Sequence, residues 1–146
     1  MNLGLLTTQD KEMIRAALAE TLGERDEVLA VYLFGSSASD EPVVNDIDVL
    51  LLVREQDLGR RCMLLTELAV LIAERLGLSS DNIDLIPFDL DMVQPYVLHA
   101  ALETGLLLKC TDEEALTDAI ESLSRYFLEN EPILRRQELL RREMFS

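Results

Sequence analysis

Val28-Leu29-Ala30-Val31-Tyr32-Leu33-Phe34-Gly35-Ser36-Ser37, a polar connection through Asn45, and then Asp46-Ile47-Asp48-Val49-Leu50-Leu51-Leu52-Val53 decide how this chain folds. Both apolar runs are of strand length and rich in β-branched, aromatic and aliphatic residues, as buried strands are. The stretch Gly35–Asn45 between them is rich in Gly, Ser, Asp, Pro and Asn, which makes it a connection and the two strands neighbours. Side chains alternate along a strand, so Asp46 and Asp48 project to one face while Ile47 points to the other.

Outward from this centre, helices and strands alternate. Thr7 with Asp10 forms a capping box, and Met13, Ile14, Ala17, Leu18 and Leu22 recur on one helical face until Gly23. Leu58–Leu76 reads as a helix packed on much of its circumference and stopped by Gly77. Ile83–Phe88 is a third strand, with Asp89 and Asp91 behind it as turn and cap residues. Val93–Glu103 is a short helix that tolerates Pro95 in its first turn. Leu106–Cys110 is a fourth strand. Thr111 and Glu114 suggest a further capping box opening a helix to about Glu129. Pro132 should break it, leaving a last helix with Ile133, Leu134, Leu140 and Met144 roughly on one side. The expectation is an α/β (α+β) fold with a mixed sheet of about four strands flanked by helices. It forms a single domain over 1–146, with a helical segment from about 112.

Composition bounds the partners. The chain has 146 residues with 13 basic against 28 acidic, a net charge of −15. Phosphate backbones are repelled over most of such a surface, which argues against direct nucleic-acid binding and for a cation site or a basic partner protein. No apolar run is long enough to span a membrane, and Met1–Leu6 lacks the features of a secretory signal, so a cytoplasmic location is expected. Cys62 and Cys110 have neither a CxxC partner nor a histidine at ligand spacing and read as buried free thiols. His99, on a mostly apolar helix, reads as a packing residue, and the arginines of the last helix as a solvated face or an interface.

The chemistry gathers where strands meet. Asp84, in Asn82-Ile83-Asp84-Leu85-Ile86-Pro87, stands near the start of the third strand, where it can join Asp46 and Asp48. Close carboxylates repel by roughly 4 kcal/mol per pair at an effective dielectric of 20, so such a cluster calls for a counter-charge. Magnesium, which favours carboxylate oxygens together with water and nucleotide phosphates, is the natural one. Gly35 lets the chain pass close to a triphosphate, while Ser36, Ser37 and the backbone amides there can donate to phosphate oxygens. An Asp-x-Asp pair alone is weak, since 12 aspartates make a chance pair expected and Asp89/Asp91 is a second one. What discriminates is the joint pattern: strand, Gly-Ser, polar connection, Asp-Ile-Asp entering a second strand, and an acid on a third.

These residues resemble the Gly-Ser…Asp-x-Asp signature of the DNA polymerase β-like nucleotidyltransferase superfamily, and most closely its minimal nucleotidyltransferase (MNT) branch. The resemblance covers roughly residues 10 to 110 and includes Leu102-Glu103-Thr104-Gly105-Leu106-Leu107-Leu108-Lys109 near its close. It implies Asp46, Asp48 and Asp84 as magnesium ligands and catalytic acids, Gly35, Ser36 and Ser37 as the nucleotide contact, and ATP as substrate in a two-metal mechanism. It further implies AMP transfer to a tyrosine of a partner HEPN toxin, the chain acting as an antitoxin in a homo-oligomer or a hetero-oligomer with the toxin. A non-catalytic antitoxin that masks the toxin by contact is the alternative, followed by AMP transfer to an aminoglycoside-type small molecule. The connection departs from the family pattern in having no arginine soon after Gly-Ser, which makes Lys109 or an arginine from a partner subunit a candidate for the missing cation.

Overall fold

The computed structural model describes residues 1–145; Ser146 and the side chains of Leu134, Met144 and Phe145 lie outside the described residues. The elements run β1 (Gly4–Leu5), α1 (Thr8–Gly23), β2 (Val28–Phe34), β3 (Val43–Val44), β4 (Ile47–Val53), α2 (Leu58–Leu76), β5 (Ile83–Pro87), α3 (Pro95–Thr104), β6 (Leu106–Cys110) and α4 (Glu113–Phe145). Thr7 caps α1 as expected, accepting from the Asp10 amide at 3.1 Å while Asp10 accepts from the Thr7 amide at 3.0 Å. Asp57 starts α2 by accepting from the Arg60 amide at 3.0 Å, and Gly77 ends it in the left-handed region at φ +67°.

The main sheet has the order β5-β4-β2-β6. β2 pairs antiparallel with β4 and β6, whereas β4 and β5 are parallel, joined by the crossover through α2. The two longest strands lie in the middle and carry helices on both faces, which is why their sequences are almost unbroken apolar runs. Alternation divides their side chains between two cores. Val31, Leu33, Val49, Leu51 and Val53 pack with Ile14, Leu18 and Leu22 of α1 and Leu68 and Ile72 of α2. Leu50, with Tyr32, Phe34 and Ile86, packs with Leu98 and Ala101 of α3 and Leu123 of α4.

Three departures from the sequence-based expectation have physical causes. Pro132 lies inside α4 and does not end it. A proline removes one backbone hydrogen bond and crowds the preceding turn, and here Leu, Glu, Arg and Gln on both sides favour helix enough to carry through. The cap of α4 is Asp112, whose carboxylate accepts from the Ala115 amide at 2.9 Å. Thr111 is instead held at the sheet, its amide donating to the Leu29 carbonyl at 2.9 Å. A small ladder between β1 and β3, pairing Gly4 with Val44 and Leu5 with Val43, ties the N-terminal segment to the connection after Ser37. The expected apolar side of the last helix falls partly outside view, since the side chains of Leu134 and Met144 lie outside the described residues, while Ile133 and Leu140 are exposed.

Candidate active site

Strand register brings the predicted acids together. Asp48 stands level with Asp84 across the parallel β4–β5 pair and with Phe34 across the antiparallel β2–β4 pair. Asp48 and Asp84 share the alternation of Leu50 and Ile86, so both face the side covered by α3 and α4. Asp46 lies immediately before β4, beside the buried Ile47, and is exposed, as is Asp84; Asp48 is half-buried.

Gly35 follows Phe34 at the end of β2 and opens a single 3₁₀ turn, Gly35–Ser37. Its φ is +73°, and a Cβ at this position would lie 2.5 Å from Asp48 Oδ2. The residue must therefore be glycine twice over, for the backbone conformation and for the room that Asp48 takes. Ser36 is half-buried beside it. Ser37 is fully buried, with Oγ donating to the Phe34 carbonyl at 3.3 Å, so its side chain braces the turn. The connection beyond is braced by Lys11 of α1, a buried lysine whose Nζ donates to the Ser39 carbonyl at 2.5 Å and to the Glu41 carbonyl. Asp40 and Glu41 themselves turn outward into solvent.

Burial pushes the Asp48 carboxyl up from its ordinary range, and the neighbouring charges of Asp84 and Asp46, with a hydrogen bond to Asp84, push it the same way. A carboxylate disfavoured on all these counts is short of a positive partner, and a divalent cation answers that shortage. Among the described residues no three His, Cys, Asp or Glu side chains form a ready-made metal cage. Magnesium retains waters and takes one or two carboxylates plus substrate phosphates, a donor set that the Asp48–Asp84 pair matches. The residues present thus fit the ion: Asp48 and Asp84 as a coupled pair, with Asp46 beside them.

Other singled-out residues lie elsewhere. Lys109 does not reach the site: its Nζ donates to the Leu22 and Arg25 carbonyls at 3.0 and 2.9 Å, behind α1, and burial pushes its pKa down. His99 is exposed, not packed in a core. Its Nε2 lies 3.2 Å from Glu103 one turn on, and its ring meets the edge of Phe127 at 5.4 Å. Cys62 is exposed and Cys110 half-buried; both are free, so the expected burial fails for Cys62, which sits on the solvent side of α2. Asp89 makes a turn, accepting from the Asp91 amide at 2.8 Å, and forms an ion pair with the buried Arg61. Arg61 also donates to the Glu55 carbonyl at 3.1 Å and lines a cavity of about 380 Å³ at the far ends of β4 and β5, away from Asp48. Lys11, which braces the connection after the Gly-Ser turn, and Arg61, which pairs with Asp89, are buried cations that sequence reading missed. Each sits on a helix at a place where a charge reads as solvated, and its partners are carbonyls and a carboxylate distant in sequence.

A mixed sheet with a Gly-Ser turn leaning on paired strand carboxylates defines a nucleotide-handling α/β protein. The chain belongs to the polymerase beta nucleotidyltransferase family, whose family model matches residues 16–114. Its fold is similar to that of solved toxin–antitoxin structures. One contains a tri-AMPylated HEPN toxin of Shewanella oneidensis in complex with MNT antitoxin, with 21% identity, a TM-score of 0.57, and coverage of 88% of this chain and 98% of that one. A toxin–antitoxin structure with AMP-PNP gives 22% identity, a TM-score of 0.57 and the same coverage of 88% and 98%. A further structure from Shewanella oneidensis gives 18% identity and a TM-score of 0.53, over 91% of this chain and 99% of that one. No curated protein matches the chain significantly. No helix among the described residues is long and apolar enough to cross a membrane.

Proposed function

We propose that this chain transfers AMP from magnesium-bound ATP to a hydroxyl, that of a tyrosine on a partner HEPN toxin, and thereby acts as the antitoxin of the pair. The observation that carries this is the meeting of Asp48 and Asp84 in strand register directly under Gly35. Likeness in fold to structures holding an AMPylated HEPN toxin and an ATP analogue supports the choice of acceptor and donor.

In the transfer, the acceptor oxygen attacks the α-phosphorus of ATP. An oxygen–phosphorus bond forms as the bond to the bridging α–β oxygen breaks, and pyrophosphate leaves with that electron pair. Asp84, exposed and level with the half-buried Asp48, takes the hydroxyl proton. In this reading the half-buried Ser36, in the turn that Gly35 opens, donates from its hydroxyl and backbone amide to phosphate oxygens. Lys11 keeps that turn's outgoing limb in place. Asp48 and Asp84, with Asp46 beside them, would hold magnesium, and the metal when bound would supply positive charge against the entering and leaving oxygens.

The test is to combine the chain, MgATP and the partner toxin and to follow the toxin by intact mass. A mass increase of one or more AMP groups is expected, lost in Asp46→Ala and in Asp48→Ala. Neutralisation of the toxin that survives both substitutions would mean masking by contact and would overturn the enzymatic reading.

A further inference from the structure

Helix α4 outruns the body it packs on. Leu116 and Leu123 are buried, and the helix contacts α3 and β2, but beyond Phe127 Leu128, Ile133, Leu139 and Leu140 stand in solvent, with Leu128 74% and Leu139 59% exposed. Most helices draw their stability from tertiary packing of an apolar face, and this half of α4 has leucines without that packing among the described residues.

The charge along the helix reverses. Residues 112–131 carry seven carboxylates against one arginine, and residues 132–142 carry four arginines against one glutamate. More telling is the order on one side. Glu114, Glu121, Leu128, Arg135 and Arg142 recur at every seventh position and are all exposed. A seven-residue spacing drifts by only about 20° per repeat around a helix, and the left-handed supercoil of a paired helix takes up that drift. Read in either direction from Leu128, the stripe runs acid, acid, leucine, base, base. It is complementary to itself run backwards.

The geometry points to a homodimer in which α4 packs antiparallel on α4 of a second copy about a two-fold axis at Leu128. In that pairing Leu128 meets its counterpart, Glu121 lies level with Arg135 and Glu114 level with Arg142, and each ion pair occurs twice by symmetry. The exposed Thr117 lies level with Leu139, its short side chain leaving room for the leucine and its methyl group giving it an apolar contact. A groove of about 350 Å³ between Tyr96, His99 and Phe127 opens beside Leu128 and adds an apolar wall to the contact. Arg135 and Arg142 now close on Glu131 and Glu138 of their own helix, exposed pairs one turn apart that hold little and are readily shared. A uniformly basic partner would be repelled by the arginine half and a uniformly acidic one by the glutamate half. A surface that changes sign over the same length fits, and a second α4 is such a surface.

Charge exchange tests the pairing on the full chain by sedimentation. The unmodified chain is expected to be a dimer at micromolar concentration, weakening as salt rises. The double variant Glu114→Lys/Glu121→Lys has two basic halves, and Arg135→Glu/Arg142→Glu two acidic ones. Each alone is expected to dimerise roughly tenfold or more weakly, and an equimolar mixture of the two to recover the dimer. Leu128→Asp, at an exposed position where the circular dichroism spectrum is expected to stay unchanged, should also give monomer. A monomeric unmodified chain at high micromolar concentration would overturn the inference. So would single variants that dimerise like the parent, or a mixture that fails to recover.

Discussion

Asp48 carries the tension of the site. Its folded-state pKa is raised, chiefly by burial and then by Asp84 and Asp46, so the folded chain holds the proton more tightly than the unfolded one. The stability this group contributes is full below the unfolded carboxylate range and is lost as pH rises through the raised value. Asp48→Asn should therefore melt higher than the parent near neutral pH, by about 1 kcal/mol, as is usual when a strained functional group is neutralised. The difference should vanish in acid and shrink when magnesium is added to the parent; thermal melts across pH, with and without the ion, read it. A variant no more stable than the parent at neutral pH would mean that Asp48 is not under strain. Gly35→Ala tests the neighbouring contact: with φ at +73° and a carboxylate oxygen in the way of the new methyl, AMP transfer should fall by roughly a hundredfold or more, as when a reacting group is displaced by about 1 Å. Lys11→Met, which frees the carbonyls of Ser39 and Glu41, should instead act on nucleotide binding. Its expected mark is a KM for ATP raised several-fold with kcat less affected; an unchanged KM would remove Lys11 from the site's support.

Elements differed in how plainly they could be read. The end of α2 was legible because Gly77 punctuates it, and β2 and β4 because central strands buried on both faces read as continuous apolar runs. The meeting of Asp48 and Asp84 could be expected from both standing early in adjacent strands. That the strands are parallel and in register is a property of the sheet, invisible in either segment alone. β1 and β3 escaped because two-residue strands have no period, and Asp112 escaped because Thr111 offered an equally good capping box one residue earlier. Pro132 was read as a break because its local penalty was weighed without the helix formers around it. That penalty remains real and local. Pro132→Ala should restore one backbone hydrogen bond and gain up to about 3 kcal/mol of local helix stability. It should appear as slower amide exchange over residues 129–136 and a small rise in helicity, with little change in the global melting temperature. Unchanged exchange there would show that α4 does not depend on its own backbone at that point.

At the scale of the whole molecule, β4 links two differently charged ends. Its first residues present Asp48 to the site, and its last line the cavity where Arg61 of α2 meets Asp89 after β5. The ion pair joins the start of the crossover helix to the end of the strand that the crossover creates, so it fixes how α2 and β5 sit around β4. Removing one member leaves the other charge in a largely desolvated place, and that is more damaging than the pair is stabilising. Asp89→Ala should cost about 2 to 3 kcal/mol, discounted from a fully buried pair because Arg61 retains the Glu55 carbonyl and Asp89 is partly open to water. For a chain of this length that is a fall of roughly 8 °C in Tm. Replacing both partners, as Arg61→Leu with Asp89→Leu, should recover most of the loss, since an apolar pair leaves no stranded charge. In neither variant should Asp48 lose its register with Asp84, so AMP transfer measured well below the melting temperature should stay within a few-fold of the parent. A double variant as unstable as Asp89→Ala would show that Arg61 acts through its carbonyl contacts, not through its charge partner. A collapse of transfer in the folded single variant would show that the far end of β4 sets the geometry of the near one.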